Sequence, residues 1–150
     1  MRGLDTTRNY RGVTREEVET HYKVLGIDGL DEHKGLDGWR KCQVKVSALR
    51  NMYGAFGRKE DGFIDLPKGE RLQKQLEHYR QLVDSVAFPR AELIKKDWPD
   101  KPALIVQQTK SSGELYVSDG VTRTFNACYH DETWLDAYII ELDQERDVID

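Results

Sequence analysis

The stretch from Pro102 to Leu142 leaves the chain little choice of architecture. Two prolines in Asp97-Trp98-Pro99-Asp100-Lys101-Pro102 bar regular structure, and the apolar run Ala103-Leu104-Ile105-Val106 after them predicts a buried strand over 103–108. Thr109 to Gly113 reads as a loop and Glu114 to Ser118 as a second strand with Leu115 and Val117 alternating, so the two strands predict a hairpin. Gly120 then divides strand from helix. The helix is expected from Val121 to about Tyr129, a turn over 130–133, and a last strand from Trp134 to Leu142.

A glycine between a strand and a helix lets the backbone turn sharply, and the first N–H groups of the helix have no intrahelical partner. Those groups, the positive helix end and the guanidinium of Arg123 together describe an anion site at Asp119-Gly120-Val121-Thr122-Arg123.

A chain of 150 residues suits one domain with a core of its own. Its net charge of −4 gives no general attraction to nucleic acid or anionic lipid, so any nucleic-acid contact has to be local. Cys42 and Cys128 have no metal spacing and form no disulfide framework, and no metal-ligand set is evident. The start Met1-Arg2-Gly3-Leu4-Asp5 lacks the apolar core of a signal peptide and no window reaches membrane-spanning length, from which a cytoplasmic protein with no membrane partner is expected.

Upstream, residues 1–13 read as an irregular arm. Thr14 followed by Glu17 is a capping box that opens a helix with Val18, Tyr22 and Leu25 at helical spacing, closed by Gly26. The Gly- and Asp-rich run 26–38 lacks the order of ligands of a calcium loop, and His33 within it reads as a solvated loop histidine. Cys42, Val44 and Val46 alternate with Gln43 and Lys45 as in a half-buried strand, which Ser47-Ala48-Leu49 leaves. From Arg50 to Asp65 the aromatics Tyr53, Phe56 and Phe63 interleave with Arg50, Arg58 and Lys59, a pattern that suits either secondary nucleotide contacts or a loop pinned by its rings. Pro67, with Asp65 as cap, predicts the start of a long amphipathic helix through Leu72, Leu76, Tyr79, Val83 and Val86 to Phe88. A short mixed segment covers Arg90 to Lys96, and residues 143–150 form an acidic tail.

This order, a strand ending in Val-Ser, a long helix, a strand preceded by proline, a short hairpin, Gly-x-x-Arg at a helix start and a closing strand, resembles the ParB/sulfiredoxin-like fold over Lys41 to Leu142. The resemblance implies a small α/β domain of mixed α+β character, a mixed sheet flanked by helices. It divides the chain into a 1–40 N-terminal arm, helix and loop, a 41–142 domain and a 143–150 tail. The glycine turn is Gly-Glu-Arg-Arg in ParB-type proteins, Gly-Cys-His-Arg in sulfiredoxins and Asp-Gly-His-His-Arg in free serine kinases; here it is Asp119-Gly120-Val121-Thr122-Arg123. The sulfiredoxin nucleophile is replaced by Val121 and a kinase histidine by Thr122, which argues against both chemistries. The chain also has no room for the further domains of a chromosome-segregation clamp.

Relatives of this fold bind ATP or CTP with Mg²⁺ at the turn. Carried over, Gly120 permits close approach, Arg123 grips a phosphate, Thr122 adds a hydroxyl or caps the helix, and Asp119 either organises a metal or water as the catalytic group or caps the helix. Arg123 also has a plain alternative, a surface pair with Glu114 or Asp131. The resemblance thus implies a stand-alone domain binding a nucleotide or DNA phosphate, as a nuclease or a nucleoside-triphosphate phosphotransferase or hydrolase. Its alternative is a non-catalytic regulatory or protein-interaction module of a plasmid or phage system with a degenerate pocket. An enzyme needs Asp119 facing a cleft beside an acid such as Glu16, Glu60 or Asp65; a degenerate pocket needs Arg123 locked in an internal pair.

Overall fold

The computed structural model describes residues 6–26, 39–52, 55–56, 64–65, 69–77 and 91–142. It is a mixed α/β structure built on a six-stranded sheet. The strands are β1 (Thr7–Gly12), β2 (Arg40–Lys45), β3 (Leu49–Asn51), β6 (Leu104–Thr109), β7 (Leu115–Asp119) and β8 (Trp134–Leu142), in the order β1-β2-β8-β6-β7-β3. Two short strands, β4 (Ala55–Phe56) and β5 (Ile64–Asp65), pair separately. The last strand lies inside the sheet, antiparallel to β2 and parallel to β6. The expected hairpin is β6–β7, antiparallel with a shift of register between Ile105 and Val106, and β3 closes the far edge parallel to β7.

Side-chain alternation gives the sheet two unlike faces. One buries Cys42, Val44, Leu104, Val106, Val117, Ala137 and Ile139 under helix α4 (Val121–Tyr129), α3 (Ala91–Lys95) and a helix at 72–77, α2, which contributes Leu72 and Leu76. Helix α1 (Arg15–Leu25) covers part of the other face, packing Val18 and Tyr22 on Trp39, Ile105, Tyr138 and Ile140. Burying Val18 fully contributes about 2 kcal/mol. The start of α1 is the expected one: the Thr14 hydroxyl accepts from the Glu17 backbone N–H, and Gly26 at φ 73° ends the helix. The Glu17 carboxylate, however, turns to Arg11 and Tyr138.

The loop before β6 is fixed by polar groups of α4. Buried Asn126 donates its amide to the carbonyls of Leu93, Ile94 and Lys96 at 3.1, 2.8 and 2.9 Å, capping α3, and its Oδ1 accepts from Lys101 Nζ at 3.2 Å. Lys101 also donates to Trp98 O and Glu132. This braces the Pro102–Ala103 backbone against the start of α4.

Two expectations are corrected. The arm before α1 is not irregular: Thr7–Gly12 is an edge strand whose outward residues show no apolar alternation, because only Thr7 is buried and the partner β2 supplies the pairing. The helix near Pro67 begins later, since Gly69 turns at φ 84° and Arg71 bridges Arg50, so helical structure starts at residue 72 and Asp65 lies in β5. The strands over 40–45, 104–109 and 134–142 and the helix over 121–129 lie where the patterning places them. The Gly/Asp-rich run with His33, the loop residues Tyr53, Arg58, Lys59 and Phe63, residues 78–88 and the acidic tail lie outside the described residues. Among the described residues, no helix is long and apolar enough to cross a membrane.

Candidate functional site

The Asp119-Gly120-Val121-Thr122-Arg123 turn joins β7 to α4 as expected, with Gly120 at the helix N-cap. Gly120 sits at φ 118°, a conformation that side chains rarely adopt, and an added Cβ would collide with Leu104 and press on the Arg123 guanidinium. The glycine thus serves the packing of the turn itself.

Arg123 is buried, with 7% of its surface exposed, and its guanidinium is committed internally. Nη1 donates to Pro102 O at 3.0 Å and Ala103 O at 2.6 Å, and Nη2 donates to the Asp119 carboxylate one helical turn before it. Burial pushes the guanidinium pKa down and Asp119 opposes that shift, so the pair holds the charge. The N-cap residue of α4 is Gly120, which has no side chain to cap the helix, and the carboxylate of Asp119 takes Arg123. Nor does Arg123 pair with Glu114 or Asp131: Glu114 takes Arg50 Nε at 2.7 Å, and Arg50 Nη1 donates to Gly69 O at 2.9 Å. Val121 packs at the margin of the core. Thr122 stands half-buried on the first turn of α4. Of the candidate residues, Asp119, Gly120 and Arg123 come together in one knot, while Arg50 belongs to a separate pair at β3.

The thiols are inert by position. Both are buried, and burial pushes Cys42 up to about 11 and Cys128 up to about 12, the latter aided by Glu77 and Asp131.

Strand register reveals a second group of residues. Arg11 pairs with Lys41, Lys41 with Tyr138, Tyr138 with Ile105 and Ile105 with Asp119, so one row crosses five strands from the β1 edge to the turn. Over this row α1 leaves an open cleft of about 490 Å³ lined by Thr14, Glu16, Glu17, Thr20, His21, Val24 and Tyr138. Glu17 accepts from Arg11 at 2.6 and 3.1 Å and from the Tyr138 hydroxyl at 2.8 Å, and these bonds, Arg11 first, hold its pKa at about 2. Burial, then the bond to Glu17, pushes the Tyr138 phenol up to about 12.

His21 stacks on Tyr138 with ring centroids 4.6 Å apart and places Nε2 2.9 Å from Ala103 O, the carbonyl that Arg123 also engages. A carbonyl only accepts, so Nε2 carries the hydrogen; burial lowers the ring pKa and keeps it neutral at pH 7. The cleft and the turn therefore meet at one backbone oxygen.

Chemically this cleft offers hydroxyls, a fixed imidazole and a carboxylate. Glu17 and Tyr138 are held far from neutral pH in opposite directions, so neither exchanges a proton readily there. Among the described residues, no three His, Cys, Asp or Glu side chains are grouped to hold a metal ion. In the sequence Glu17 reads only as a capping residue and Tyr138 only as part of a strand. They meet across 121 positions, which no local pattern encodes. No family model matches the chain, and no curated protein or solved structure matches it.

Proposed function

We propose that the chain is a ParB/sulfiredoxin-like domain that acts as a non-catalytic regulatory or interaction module, of the kind found stand-alone in plasmid and phage systems, with a degenerate nucleotide pocket. One observation carries this reading: the buried Arg123 guanidinium is already bound to Asp119 and to two backbone carbonyls. A phosphate reaching it has to displace a charged partner in a partly desolvated place, where breaking such a pair is costly. The strand–glycine–helix–strand order from β7 to β8 supports the fold assignment, and the resting protonation of Glu17 and Tyr138 supports the absence of turnover.

A second reading keeps the nucleotide. Gly120 at the N-cap of α4 brings no side chain to the helix start, and about a third of the Asp119 side chain is exposed, so a triphosphate that moves Asp119 aside would meet the positive end of α4 and Arg123. Thermal denaturation with ATP, CTP and GTP, each with and without Mg²⁺, separates the two. The module reading expects no change in melting temperature. A ligand at a hundred times its dissociation constant adds about 2.7 kcal/mol, so a clear rise that Asp119→Asn enhances and Arg123→Lys removes would overturn it in favour of the nucleotide.

A further inference from the structure

The sheet face that α1 covers is only half covered. Cys42 and Val44 point into the main core, so Lys41, Gln43 and Lys45 point to the opposite face. Register sets Arg8 beside Gln43, Asp136 beside Gln43 and Trp134 beside Lys45. Helix α1 packs on Ile105, Tyr138 and Ile140, which leaves the Arg8–Gln43–Lys45–Trp134 end uncovered among the described residues. Arg8 and Asp136 are exposed; Gln43, Lys45 and Trp134 are half-buried.

Arg11 is paired with Glu17, whose carboxylate also acts on Lys41, and Arg40 is paired with Glu141, but Arg8 and Lys45 form no salt bridge among the described residues. Arg8 and Lys41 lie on rings: the Arg8 guanidinium is 4.0 Å from the centre of the Trp134 ring, and Lys41 Nζ is 5.4 Å from that of Tyr138. Gln43 Oε1 accepts from Arg8 Nε at 2.8 Å, which fixes the guanidinium over the indole. Asp136 is the acid on this half-face, 3.4 Å from Gln43 Nε2.

We propose that this half-face binds single-stranded nucleic acid. A guanidinium plane fixed over an indole is a stacking platform for an unpaired base, since bases stack on aromatic rings and on arginine planes alike. Lys41 and Lys45, four residues apart on the same face of β2, supply phosphate contacts beside it, and Asp136 keeps the backbone to the β1–β2 side. A duplex offers phosphates but hides its bases, so it satisfies only half of this arrangement. The surface lies outside the Asp119–Arg123 turn, and the proposal does not rest on the reading of that turn.

Fluorescence anisotropy with labelled oligo(dT), oligo(U) and a duplex, each about 12 nucleotides long, tests it. Saturable binding of either single strand, tighter than the duplex and resistant to competing polyglutamate, is the expected result; the two single-stranded arms show whether the sugar matters. Two phosphate contacts give a slope of log affinity against log salt of about −1.4. Trp134→Ala should weaken binding about tenfold with the salt slope unchanged, and Lys45→Glu should weaken it and flatten the slope. Should Trp134→Ala fail to fold by circular dichroism, Arg8→Gln on the exposed strand removes the platform instead. Absence of binding, equal affinity for the duplex, or full affinity in the platform variant overturns the proposal.

Discussion

Two arginine–carboxylate pairs stand at opposite ends of the same register row, and they do opposite things. Arg123 and Asp119 have side-chain exposures of 8% and 32%, whereas Arg11 and Glu17 have 51% and 34%. At the turn the arginine is desolvated, so its partners must all be present and the geometry is closed. At the β1 edge water can replace either partner, and the pair leaves a cleft open beside it. The comparison teaches that the residue types alone do not mark a ligand site; solvation decides whether an arginine is available.

The comparison breaks most easily at Gly120. Gly120→Val adds a strained backbone and a collision with Leu104 and is expected to cost about 4 kcal/mol, read as a lower midpoint in urea. Next comes Arg123→Ala, which leaves the Pro102 and Ala103 carbonyls short of a donor and Asp119 without its partner, for about 3 kcal/mol. If it proves neutral, these bonds do not close the turn. Arg11→Ala, the matching change at the exposed end, should lower the urea midpoint far less than either, because water screens the pair.

Acid sharpens the contrast. The Glu17 pKa is held at about 2 against an ordinary 4.5, so its contribution to stability is full above pH 4.5 and is lost as pH falls toward 2. Melting temperature followed across that window should fall less in Glu17→Gln than in the parent chain. Equal slopes would show that the Arg11 and Tyr138 bonds do not act on Glu17 in solution.

What could be read from the residues divides along the same line. The β6–β7 hairpin, α4 and β8 were legible because each buries one side and writes that side at its own period, as Leu115 and Val117 do in a strand. Strand β1 was not, because Tyr10, Arg8 and Arg11 give it no buried face and its stability comes from β2. The helix after Pro67 had the right apolar spacing at Leu72 and Leu76, but the turn at Gly69 and the bridge between Arg50 and Arg71 hold residues 69–71 out of it. At the turn, the motif marked the junction of β7 and α4. It could not show that Pro102 and Ala103 would present carbonyls to Arg123, since that depends on Asn126 and Lys101 bracing a loop distant in sequence. The Glu17–His21–Tyr138 cleft depends on a helix and a strand from opposite ends of the chain.

The place of β8 has a consequence for how the protein is made. This strand joins β1 and β2 to β6, β7 and β3, yet it is the last of them to leave the ribosome. Until Trp134–Leu142 emerges, β2 and β6 each expose an edge with no neighbour, and the nascent chain carries two unjoined half-sheets. Assembly therefore waits on β8, and any stall in translation before it leaves adhesive edges exposed.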